Sequence, residues 1–120
     1  MRKWNIGRLF VVVLILALTG CGGSRPVEPP LAITLIAQDI KFDLTMIEAK
    51  VNQPVQLTYS NKGVIDHAFA IPGLVEPQKV RPGQTLVFRF TPTQAGQFKY
   101  LCIIPGHEMA GMVGTLVVTR

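Results

Sequence analysis

From Leu31 onward the chain is a series of short apolar segments closed by turn-forming residues. None carries the three-to-four-residue apolar period of an amphipathic helix. Leu31 to Phe42 is rich in β-forming residues and alternates at its end through Ile40 and Phe42. Val55, Leu57 and Tyr59 alternate with Gln56 and Thr58, and Ala68 to Ile71 is an apolar run stopped by Pro72-Gly73. Leu86, Phe88 and Phe90 alternate with Val87 and Arg89, Phe98, Tyr100 and Cys102 share one face, and Val113 to Thr119 is a final β-branched run. Asn52-Gln53-Pro54, Asn61-Lys62-Gly63, Arg81-Pro82-Gly83 and Gln94-Ala95-Gly96 supply turns between them. This spacing predicts an all-β sandwich or barrel of six to eight strands in two sheets. One weak helical turn is expected near Met46 to Ala49, limited by Val51 and Pro54.

The first twenty residues are of another kind. Arg2, Lys3 and Arg8 precede an uninterrupted apolar run from Leu9 to Leu18, and no acid occurs before Glu28. The run is too short for the roughly 20 apolar residues of a spanning helix, so it reads as an export signal. Leu18-Thr19-Gly20-Cys21 resembles the lipobox of bacterial lipoproteins. That resemblance implies cleavage before Cys21, a diacylglyceryl group on its thiol and a lipid anchor on the membrane, facing the periplasm or cell exterior. Gly22 to Pro30 is Gly/Ser-rich and then Pro-rich and reads as a linker. The expected organisation is a signal peptide over 1–20, a lipidated Cys and flexible linker over 21–30, and one domain over 31–120. The division reinterprets the charge. The formal +5 loses three positive charges with Arg2, Lys3 and Arg8 and falls to +2, which argues against nucleic acid as a partner.

The domain holds one cysteine, Cys102, and the chain's two histidines, His67 and His107. Cys102 closes the Phe98-Tyr100 segment, Pro105-Gly106 favours a tight reversal, and His107 and Met112 follow. Such a loop returns His107 and Met112 toward the Cys102 sulfur. A sandwich can bring His67, at the start of another strand, beside it. One thiolate, two imidazoles and a thioether make the donor set of a trigonal His₂Cys copper site with a weak axial Met. The soft sulfurs favour Cu(I) and the imidazoles suit both oxidation states. A site acceptable to both needs little rearrangement when one electron moves. Zinc is disfavoured, because Met is a poor zinc ligand.

The segment CIIPGHEMAGM resembles the ligand loop of the cupredoxins, the blue copper family, and NKGVIDHAF resembles the family's first-histidine segment. DIKFD, PGQTLVFRFTPTQAGQFKYLCIIPGH and GMVGTLVV extend the resemblance over about Ala32 to Thr119. It implies a Greek-key β-sandwich with one copper ion at one end, held by His67, Cys102, His107 and Met112. Ala68 departs from the pattern, since many members place Asn or Ser there to tie that strand to the Cys loop. Only its backbone N–H can still approach the Cys102 sulfur. Met109 is a second thioether in the loop; the match at Gly111-Met112 favours Met112 as axial ligand and leaves Met109 a packing or surface residue. Asp66 reads as a solvated turn residue and Glu108 as a surface carboxylate. Ile103, Ile104 and Pro105 are either ordinary loop packing or an apolar patch for partner docking.

These readings converge on a monomeric, membrane-tethered one-electron carrier that docks to redox proteins near the copper loop. A copper-binding lipoprotein for copper capture or delivery is the alternative. Enzymatic readings are disfavoured: a catalytic copper centre needs further His ligands, and a dinuclear purple copper site normally needs two loop cysteines.

Overall fold

The computed structural model of the chain describes residues 28–120. The signal-peptide reading, the lipidation site Cys21 and most of the linker lie outside the described residues. Nine strands follow one another: β1 (Leu31–Gln38), β2 (Lys41–Phe42), β3 (Met46–Lys50), β4 (Val55–Asn61), β5 (His67–Ile71), β6 (Val75–Val80), β7 (Thr85–Phe90), β8 (Gly96–Leu101) and β9 (Val113–Thr119). They form a sheet ordered β2-β1-β4-β7 and a second ordered β3-β9-β8-β5-β6. Strands distant in sequence lie side by side, as in a Greek key: β1 runs parallel to β4, β3 runs parallel to β9, and β5 lies antiparallel to β8.

The alternation seen in the sequence becomes the packing. Leu57 and Tyr59 on β4, Tyr100 on β8, and Leu116 and Val118 on β9 point inward with Leu35, Phe69 and Val80. Burying each large apolar side chain contributes roughly 1.5–3 kcal/mol. Phe42, Tyr59, Phe69 and Tyr100 meet tilted or edge-on at centroid separations of 5.5–6.2 Å. Tyr100 donates its hydroxyl to Leu44 O at 2.7 Å, which pins the β2–β3 connection to β8. Burial, and then the nearby Asp43, push that hydroxyl up to about 12, so it remains a donor.

The strand count exceeds the expected six to eight for three physical reasons. Asp39, at φ 54°, turns the Leu31–Phe42 stretch back on itself and splits it into β1 and β2. The helical turn expected near Met46 to Ala49 is instead β3. Alternation decides it: Ile47 and Ala49 are buried while Met46, Glu48 and Lys50 face outward, and pairing with β9 overrides helix propensity. β6 carries Pro77 in its middle, which an edge strand tolerates because its outer side needs no N–H donor.

One position sets a sharp test of the core. Gly114 pairs with Tyr100, and a Cβ there would lie 2.1 Å from the tyrosine ring. Gly114→Ala should therefore lower the unfolding free energy by about 3 kcal/mol, the upper end of ordinary overpacking. Urea denaturation measures this, and a wild-type midpoint would mean that the ring yields freely.

Candidate metal centre

Three strand ends converge at one pole of the sandwich. β8 ends at Leu101, which pairs with Val113 of β9 on one side and with Ala70 of β5 on the other. Cys102 and Met112 stand one step beyond that ladder, and His67 is the first residue of β5. The Cys102 N–H donates to Met112 O at 3.0 Å and the Met112 N–H to His107 O at 3.0 Å, closing the Cys102–Met112 loop at its base. Within the loop the His107 N–H donates to Ile104 O at 3.0 Å across Pro105-Gly106. Gly106 has φ 84°, so this is a type II turn with Pro and Gly in their favoured positions. The expected reversal is present, and it turns His107 back toward Cys102.

His67, Cys102 and His107 each offer a ligand atom, and these atoms lie within 4.8 Å of one another. Cys102 Sγ is 3.3 Å from His107 Nδ1, and the two imidazole rings are 5.2 Å apart at 58°. His67 and Cys102 are wholly buried, as is Met112, and His107 is 8% exposed. The Ala68 N–H donates to Cys102 Sγ at 3.3 Å, so the backbone supplies the link that the Ala68 side chain lacks.

The chemistry of the cluster fits a metal ion. Both nitrogens of His67 are buried without a hydrogen-bond partner, an arrangement that costs free energy until a ligand takes up one of them. Burial pushes His67 below the ordinary imidazole value, and His107 pushes the same way against the smaller opposing influence of Asp66 and Asp39. The neutral form that binds metal is therefore the favoured one. Tyr59 packs nearby, its phenol raised by burial first and by Cys102 second, and it stays neutral. Soft thiolate beside two imidazoles is a donor set for copper.

The surroundings extend the sequence reading. Met109 is 94% exposed, a surface residue. Asp66 is half-buried and Glu108 exposed, and both are paired, Asp66 with Lys79 at 2.8 Å and Glu108 with Lys99. The Lys79 hydrogen bond holds the Asp66 carboxyl below its usual range. Ile103 is 46% exposed, whereas Ile104 is partly buried against the core. Sequence reasoning saw Asn61 only as a turn residue. It is wholly buried, and its side chain is bonded into the loop that delivers His67. A polar residue closing an apolar strand two places before Gly63 was the available signal.

The model of the cupredoxin-like domain matches residues 9–118. The chain belongs to the cupredoxin-like family. Among curated proteins it is similar to the copper-resistant cuproprotein CopI of Rubrivivax gelatinosus, at 29% identity over 70% of this chain. The chain spans 63% of that relative's length. Solved structures share the fold at low identity. Auracyanin B superposes with a TM-score of 0.66 at 20% identity, over 81% of this chain and 93% of the other. The dithionite-reduced auracyanin of Roseiflexus castenholzii gives 0.69 at 16% identity, over 74% and 97%. Auracyanin A, a "blue" copper protein of Chloroflexus aurantiacus, gives 0.66 at 19% identity, over 75% and 99%. The cupredoxin-like fold and the His-Cys-His cluster are together consistent with a single copper site.

The buried His67 gives the metal-free cupredoxin a defined pH response. An imidazole in the unfolded chain titrates near about 6.5. Above that value both states hold His67 neutral and the stability is complete. Below it the unfolded chain takes up a proton that the folded chain refuses, and stability falls by at most about 1.4 kcal/mol per pH unit. The urea midpoint of metal-free protein should hold near neutrality and drop as pH falls below about 6.5, with a shallower drop in His67→Phe. Equal slopes in the two proteins would contradict this.

Proposed function

We propose that this cupredoxin is a one-electron carrier with a mononuclear copper centre held by His67, Cys102, His107 and Met112. Bound copper supplies a reversible Cu(II)/Cu(I) couple. The observation that carries the reading is the built, buried state of the cluster: His67, Cys102 and Met112 have no exposure, and the loop around them is hydrogen-bonded at both turn and base. Donors fixed in this way cannot rearrange much between oxidation states, which favours electron movement over metal release. His107, at 8% exposure, is the one member of the set that reaches the surface, and it is the contact through which an electron would pass.

The surface around that edge supports docking. Ile40, Val64, Ile65, Ile103 and Met109, five of the seven large apolar side chains exposed among the described residues, lie in the loops at the metal pole. Apolar side chains exposed on loops at this pole suit brief contact with redox protein partners without a committed complex.

Copper capture or delivery is the second reading. The name of the Rubrivivax gelatinosus relative favours it, since that protein is called a copper-resistant cuproprotein. Copper-loaded protein should be blue through thiolate-to-copper charge transfer, and Cys102→Ser should abolish the band. Met112→Leu should still bind copper but raise the potential. Reversible voltammetry decides between the readings. Stable cycling supports electron transfer, whereas loss of copper to a Cu(I) chelator on reduction supports delivery. A colourless, copper-indifferent protein would overturn both.

Export and tethering complete the proposal. Leu31 and Thr119 both lie at the pole opposite the metal cluster, since β1 pairs outward from Val55 and β9 ends against Lys50. An anchor on Cys21 would thus leave the metal pole free. The expected mature protein starts at a lipid-modified Cys21, detected by mass spectrometry of the membrane fraction. Cys21→Ala should lose the lipid mass and leave the membrane pellet; a variant that stays membrane-bound would argue against tethering.

A further inference from the structure

The metal cluster is served by two loops that are built differently. The Cys102–Met112 loop carries its own backbone hydrogen bonds. The segment joining β4 to β5, residues 62–66, does not. Its Lys62 N–H donates to Ala37 O at 2.8 Å, and its other hydrogen bonds to backbone groups are made by one side chain, that of Asn61. Asn61 Oδ1 accepts from the Gly63 N–H at 2.9 Å. Its Nδ2 donates to Ile65 O at 2.7 Å and to Val80 O at 3.1 Å. Val80 is the residue that pairs with His67 across β5 and β6. The Asn61 main chain is held as well, by Gln84 O at 2.9 Å and the Gly83 N–H at 3.0 Å. The carboxamide is wholly buried, and all its bonds run to the turn before His67 or to the strand beside it.

We propose that Asn61 is a positioning residue for the metal centre, its carboxamide fixing residues 62–66 and thereby His67 and the Ala68 N–H on the Cys102 sulfur. It takes over from below the role that the Ala68 side chain cannot play from beside the sulfur. Val64, 90% exposed in this turn, shows why a cross-link is needed: apolar packing does not hold the turn's apex. A buried carboxamide with three partners does, because opening the turn would leave the buried Asn61 side chain unpaired. The inference rests on the copper reading only for its copper measurements.

Native-state amide exchange of metal-free protein tests it first. The Gly63 amide should exchange no faster than those of β4, and early local exchange at Gly63 in the wild type would overturn the proposal. In Asn61→Ala the Gly63 and Ala68 amides should exchange at least tenfold faster relative to β4. In Val118→Ala, a core truncation on β9, all should accelerate in step. Copper-loaded Asn61→Ala should show a shifted charge-transfer band and electron self-exchange at least tenfold slower, with Val118→Ala at wild-type values in both. Asn61→Ala behaving as Val118→Ala in exchange, band and self-exchange would reduce Asn61 to a general stability role and overturn the inference. If Asn61→Ala does not fold, the wild-type exchange result still decides. A wild type that binds no copper defeats the proposed function, while the exchange result still judges Asn61.

Discussion

The hydrogen bond from the Ala68 N–H to the Cys102 sulfur is the contact on which the rest of the structure depends. The buried Cys102 sulfur has two polar neighbours at 3.3 Å, the Ala68 N–H and His107 Nδ1, and of these only the Ala68 N–H is a backbone donor. A backbone donor can serve only if the start of β5 lies beside the end of β8. The register between them is a single pair, Ala70 with Leu101. That pair is held from both flanks, by β9 across β8 and by β6 across β5. The sandwich can thus be seen as the frame that keeps one amide against one sulfur.

Rigidity at the pole has two sources. Behind the cluster lie Phe42, Tyr59, Phe69 and Tyr100, aromatic rings packed against one another with little freedom to shift. In front lie loops stiffened by turns and by polar cross-links. The first source is apolar and shared by the whole domain. The second is local, so changes in the loops can alter the centre while the fold persists.

Much of this was legible in the sequence, and what was not has clear physical reasons. β4, β5, β7, β8 and β9 announced themselves by alternation or β-branching, and the ordered Cys, His and Met of the loop announced a metal site. Met46–Lys50 misled because Met, Glu, Ala and Lys favour helices. Only the parallel partner β9, about seventy residues away, makes it a strand. Val75–Val80 carries a proline and three polar residues and gave no signal; its place at a sheet edge explains both. The link from Ala68 to sulfur could be foreseen because it uses backbone. The role of Asn61 could not, because it depends on which carbonyls the β5–β6 register brings within reach.

The placement of the chain ends has a further consequence. β1 spans eight residues from the far pole toward the metal pole, a length of about 27 Å at the usual strand rise. That much packed protein is an insulator, since electron tunnelling fades steeply over such a distance. The far pole is therefore electrically silent. For the electron carrier proposed above, donor and acceptor would have to use the same small window around His107, in turn and never together. Under that proposal, the traffic would be set as much by how quickly one partner vacates the window as by the centre behind it.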